Sequence, residues 1–163
     1  MDWIVNIVAF LNRIGIPVEE RNLDNSCFLP GVAIEFGKLI LDRSKLKYPG
    51  DLLHEAGHIA VMTAEERRSC SGNLLEHISS STLDGYELSA IAWSYAAAHY
   101  LKMPVDMLFH PYGYKGDSRM LIDNFTSGNY LFTPLLQYYG LCKLKYVDHE
   151  EDYYPTMIQW LRN

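Results

Sequence analysis

Pro49-Gly50-Asp51-Leu52-Leu53-His54-Glu55-Ala56-Gly57-His58-Ile59-Ala60-Val61-Met62-Thr63-Ala64 is the stretch on which the reading of this chain turns. Pro49-Gly50-Asp51 breaks the chain, Asp51 is a good N-cap, and the run from Leu52 to about Ala64 reads as a helix. Residues four apart on a helix project from one face, so the ring nitrogens of His54 and His58 can converge on one ion. Glu55 sits about 100° around the helix from His54, an offset that reaches a water on the ion rather than the ion itself. Leu52, Leu53, Ala56, Gly57, Ile59 and Ala60 are uncharged and offer no competing ligand. An exposed helix carrying these residues by accident fits poorly, because unpaired histidines are costly to bury in an apolar stretch. Gly57 weakens the helix by about 1 kcal/mol relative to alanine, which predicts close approach of another backbone.

A catalytic zinc takes three protein ligands and leaves a fourth position open. The third ligand is expected from a second, alanine-rich helix over Tyr86 to about Lys102, capped by Asp84 and ending before Met103-Pro104. Glu87, Ala90, Ile91, Ser94 and Ala98 share one stripe of that helix, and its small side chains let the two helices press together and aim Glu87 at the histidines. Rivals are Glu76, His77 and Asp84. His77 is the strongest of these, since imidazole suits zinc, but a flexible loop positions a ligand poorly.

Working outward, Trp3, Ile4, Ile7, Val8, Leu11 and Ile14 recur at helical spacing until Gly15 and Pro17 end the pattern. This amphipathic helix is expected on the core rather than on a membrane, for its polar face lacks the Lys and Arg that membrane-surface helices carry. Short apolar runs within residues 27–42 flank a turn at Glu35-Phe36-Gly37-Lys38 and predict an antiparallel hairpin. The strand Lys38–Leu41 is a candidate edge on which an extended substrate adds as another strand. Residues 65–84 are polar and read as a loop of the length often used for lids. Shorter helices are expected near Val105–Phe109, Ser118–Phe125, Pro134–Tyr139 and Thr156–Leu161.

The 163 residues fit a single domain, 1–163, large enough to bury roughly two-thirds of its unfolded surface. A net charge of -6 with scattered basic residues argues against a nucleic-acid surface, which needs clustered Lys and Arg. Three cysteines far apart fit a reducing compartment better than a disulfide framework. With no basic, apolar leader and no apolar run approaching about 18 residues, the chain reads as cytoplasmic, without membrane contact.

The His-Glu-x-x-His helix followed by Tyr86-Glu87-Leu88-Ser89-Ala90-Ile91-Ala92-Trp93-Ser94-Tyr95-Ala96-Ala97, and then Leu101-Lys102-Met103-Pro104, resembles the ImmA/IrrE-like zinc metallopeptidases of the gluzincin class. The likeness covers roughly residues 1–110. It implies an α+β, zincin-like fold: an N-terminal helix, a small antiparallel sheet or hairpin, the two site helices and, here, a helical C-terminal part. It also implies His54, His58 and Glu87 as zinc ligands and Glu55 as general base. The expected activity is hydrolysis of a peptide bond in a peptide or protein substrate by zinc-activated water. His110, Tyr112 and Tyr114 are the candidates for stabilising the oxyanion. The alternative is a metal-binding interaction module of the same fold without peptidase activity.

Overall fold

The computed structural model describes residues 2–24, 29–72, 78–145 and 152–163. Helix α1, Trp3–Ile14, starts on Asp2, whose carboxylate accepts from the amides of Ile4 and Val5, and ends on left-handed Gly15. Of the predicted stripe, Ile7 and Leu11 are buried and Trp3, Ile4, Val8 and Ile14 half-buried, and Phe10, outside that stripe, is buried with them. The hairpin is also present: β2 (Val32–Glu35) pairs antiparallel with β3 (Lys38–Leu41). Phe36 and Gly37 both take positive φ at its tip, a pair whose twist matches that of the flanking strands.

The sheet is mixed rather than wholly antiparallel. A third strand, β1 (Val18–Glu20), runs parallel to β3, giving the order β1-β3-β2. At three residues, Val-Glu-Glu, it is too short to show an alternating pattern. This order overturns β3 as a docking edge, because both sides of β3 are already hydrogen-bonded within the sheet. On β2, the outer strand, Phe36 N donates to Cys70 O at 2.8 Å and Gly72 N to Ile34 O at 3.0 Å, so residues 70–72 cover part of that edge.

Helix α2, Pro49–Val61, carries the two histidines. Its cap is Tyr48, with no side-chain cap bond, and not Asp51 as expected; Pro49 fixes the first helical φ and the start lies three residues earlier. The sheet flanks α2 on one side and α4 (Ser80–Leu101) on another, so Leu52, Leu53, Ala56, Ile59, Ala60 and Val61 are all fully buried. A β-carbon on Gly57 would lie 2.9 Å from Ala90 O and 3.0 Å from Ala90 Cα, which is the close backbone approach that the glycine predicts. Gly57→Ala forces α2 and α4 apart at the residue before His58. Overpacking costs about 1–3 kcal/mol, more than the roughly 1 kcal/mol regained in helix propensity. The expected result is a thermal midpoint lowered by a few degrees together with weaker metal binding, read by calorimetry and chelator competition.

The segment read as a loop over 65–84 is partly helical. Helix α3, Ala64–Ser69, begins with a capping box in which Thr63 and Glu66 satisfy each other's amides. Helix α4 begins on Ser79, so Asp84 lies inside it and caps nothing. Beyond it come α5 (Val105–Leu108), a 3₁₀ turn at Tyr114–Gly116, α6 (Ser118–Thr126) and α7 (Thr133–Tyr138), close to the predicted positions. Thr156–Leu161 is not a helix. Within it Ile158 N donates to Leu141 O, and just after it Arg162 N donates to Ala60 O, both at 2.9 Å. Among the described residues no helix is long and apolar enough to cross a membrane.

Candidate metal centre

One turn of α2 separates His54 from His58, and their Nε2 atoms face each other at 3.2 Å. Two turns into α4, Glu87 bridges both rings. Its Oε1 lies 3.4 Å from His54 Nε2 and its Oε2 lies 3.1 Å from His58 Nε2. The histidine side chains are 12% and 10% exposed and Glu87 is 48% exposed, so the centre opens to solvent on the side of α4. The stripe of small residues through Ala90 is what lets Glu87 come this close.

Donor spacing tests whether a zinc ion fits. Bonds of about 2.0–2.1 Å at tetrahedral angles put neighbouring donor atoms about 3.3 Å apart. The two Nε2 atoms stand 3.2 Å apart, and each lies close to that edge length from a different oxygen of Glu87, 3.4 Å for His54 to Oε1 and 3.1 Å for His58 to Oε2. Without a cation, two ring nitrogens at this distance need one to donate to the other; with one, both lone pairs and the carboxylate point at the same charge. Two imidazoles and a carboxylate suit zinc and other divalent ions alike. Glu55 belongs to the same cluster, with one donor atom from each of His54, Glu55 and His58 lying within 4.8 Å of the others.

Electrostatics follow the geometry. Burial works against charge on Glu87, but hydrogen bonding to His54 and His58 holds its carboxyl well below the usual carboxylate range. Burial also disfavours protonated His54, and is outweighed by Glu87, Glu55 and Asp51, so its pKa lies above the ordinary 6.5. In the metal-free chain that raised pKa favours the folded state below about pH 6.5, a contribution lost as pH rises through the folded-state value. A cation at the same carboxylates takes over the proton's part. Among the described residues the outer nitrogens, His54 Nδ1 and His58 Nδ1, are buried without a hydrogen-bond partner. The ring directions are therefore set by packing and helix register, not by an outer layer of acceptors.

The three oxyanion candidates separate cleanly. Tyr112 is 82% exposed. His110 is committed to Asp51, Nε2 to Oδ1 at 2.8 Å, and stacks on Tyr48 with ring centres 3.8 Å apart. Asp51 thus ties the first turn of α2 to the segment after α5, a partnership that nothing local in the sequence announces. Tyr114 faces the centre: its ring stands edge-on to His54 at 5.5 Å. Its hydroxyl is buried with no well-formed hydrogen bond among the described residues, though Ser94, which donates its own proton to Ile91 O, stands close enough to stabilise it. Burial, then Asp51, Glu87 and Glu55, push the Tyr114 phenol far above its ordinary pKa, so it is held neutral. Tyr114 and Lys115 have φ of 54° and 53°, a left-handed pair costing about 1 kcal/mol or more each. Bonds from Gly113 N to His110 O, Asp117 N to Tyr114 O and Ser118 Oγ to His110 O hold this strained turn in place.

Of the rival ligands, Glu76 and His77 lie outside the described residues, while Asp84 is exposed on α4. His99 is exposed near the far end of α4, away from the cluster. The chain matches no protein-family model, no curated protein and no solved structure.

Proposed function

We propose that this chain is a zinc-dependent peptidase of zincin-like fold, with His54, His58 and Glu87 as ligands and Glu55 as general base. The observation that carries the reading is the convergence of the two histidine Nε2 atoms and the Glu87 carboxylate, at separations close to the edge of a tetrahedral zinc site, with a further direction left for water or substrate. The motif likeness to the ImmA/IrrE-like peptidases agrees with it, and a peptide or protein segment is the substrate class that likeness suggests.

A bound zinc supplies Lewis acidity, making water nucleophilic near neutral pH and polarising a carbonyl. The protein's own groups do the rest. His54, His58 and Glu87 fix the position of the cation. Glu55 takes a proton from the attacking water as its oxygen bonds to the carbonyl carbon, then delivers that proton to the amine nitrogen as the C–N bond breaks. Tyr114 donates its hydroxyl proton in a hydrogen bond to the carbonyl oxygen as charge builds there. A buried phenol that stays neutral suits that task.

Tyr114→Phe separates this role from a structural one. Removing a buried hydroxyl with no well-formed hydrogen bond is expected to leave thermal stability unchanged or slightly higher. Zinc content stays the same, and turnover falls about a hundredfold to a thousandfold. Equal turnover in the variant would remove Tyr114 from the mechanism. The reading as a whole is tested by incubating the zinc-loaded chain with a mixed peptide library: new termini must appear, and a chelator must stop them. Zinc binding with no cleavage of any peptide would favour the metal-binding interaction module instead.

A further inference from the structure

The carboxy-terminal residues reach the metal helix from the far side. The last carbonyls of an α-helix have no partner inside it, and α2 ends on extended Met62 without a glycine cap. Arg162 fills that gap. Its amide donates to Ala60 O at 2.9 Å and its guanidinium Nη1 to Val61 O at 3.2 Å. Arg67 Nη1 donates to Met62 O at 2.6 Å, and Arg67 Nη2 donates to Arg162 O at 2.7 Å, which closes the contact from both sides. Two guanidinium groups at a helix C-terminus also complement its dipole.

The same Nη1 of Arg162 donates to Tyr86 Oη at 3.1 Å, and Tyr86 Oη donates to Glu66 Oε2 at 2.7 Å. Tyr86 is buried and is the residue immediately before Glu87. The guanidinium carbon of Arg162 also sits 4.2 Å from the centre of the Tyr139 ring, which stands edge-on to Tyr86. Trp93 Nε1 donates to Trp160 O at 3.0 Å, anchoring the segment to α4 one turn beyond Ala90. One side chain thus joins the end of the histidine helix to the turn that carries Glu87.

We infer that Arg162 is a positioning residue for the metal centre: through Val61 and Tyr86 it sets the register of α2 against α4, so cation affinity depends on a residue outside the ligand set. The inference rests on the three-ligand reading above. It follows from the site's lack of an outer layer. Among the described residues His54 Nδ1 and His58 Nδ1 are unpartnered, so packing and helix register aim the donor atoms, and the 3.1–3.4 Å spacing of Glu87 from the histidines is as good as that register.

The test uses Tyr86→Phe and Arg162→Gln in the full chain. Tyr86→Phe keeps the ring and removes only the hydroxyl between Arg162 and Glu66, so it remains informative should Arg162→Gln fail to fold. Zinc affinity is measured by competition with a chromophoric chelator, the cobalt(II)-loaded visible spectrum serves as a signature of ligand geometry, and thermal midpoints are taken without metal. Both variants are expected to bind zinc about tenfold to a hundredfold more weakly, the range found for residues that orient ligands. Their cobalt spectra shift, and the metal-free midpoint of Tyr86→Phe stays within a few degrees of wild type. Wild-type affinity and spectrum in Tyr86→Phe would overturn the inference, whatever Arg162→Gln does. A wild type that binds no zinc overturns the three-ligand reading and this inference together. A wild type and variants that bind equally overturn only this one.

Discussion

Glu55→Gln is expected to retain one zinc per chain and to lose turnover by about a hundredfold to ten-thousandfold, the usual contribution of a positioned general base. The amide has nearly the carboxylate's shape, so packing in α2 is preserved. It cannot take the proton that the attacking water must lose. Glu87 contacts both histidine Nε2 atoms, and Glu55 has a carboxylate oxygen within 4.8 Å of a ring nitrogen of each histidine, so the variant decides whether it acts as ligand or base. Zinc analysis and peptide hydrolysis on the same preparation give the answer. Loss of metal along with activity would make Glu55 a ligand, and undiminished hydrolysis would sink the proposed proton transfers.

Glu87→Ala carries the second large effect. It removes the carboxylate that bridges His54 and His58 and leaves two imidazoles whose Nε2 atoms face each other at 3.2 Å. Zinc affinity should fall by more than the roughly hundredfold limit typical of residues that only orient ligands. Stability of the metal-free chain should change little at neutral pH, since Glu87 is half-exposed on the surface of α4. At acid pH the variant should be the less stable, because Glu87 is the largest favourable influence on protonated His54. Zinc held as tightly as in wild type would move the third ligand off α4 and bring Glu76 and His77 back into consideration.

The parts of this site that were legible in the sequence are those written in local periodicity. His54 and His58 are four residues apart on a helix, Gly57 marks a tight crossing, and the run of small residues behind Glu87 marks its partner. The hairpin, α1 and the shorter helices near 105, 118 and 133 were readable for the same reason. The capping box Thr63-Ala64-Glu65-Glu66 was also present as a signal and would have broken up the supposed loop. What was not legible depends on pairs distant along the chain. Asp51 looks like a cap and instead holds His110, 59 residues away. Tyr114 sits on a left-handed turn that no propensity of Tyr or Lys favours; only the surrounding bonds select it over its two neighbours. The last residues look mildly helical, yet their amides bond to α2 and to residue 141, and that use of the backbone excludes a helix.

The most direct test of the central claim is a crystal structure of the zinc-soaked chain with anomalous diffraction recorded on both sides of the zinc edge. The account predicts one strong peak about 2.0–2.2 Å from His54 Nε2, His58 Nε2 and an oxygen of Glu87, with no further protein ligand and Glu55 beyond bonding distance. No peak between these three residues, or a peak closed by a fourth protein ligand, would contradict it.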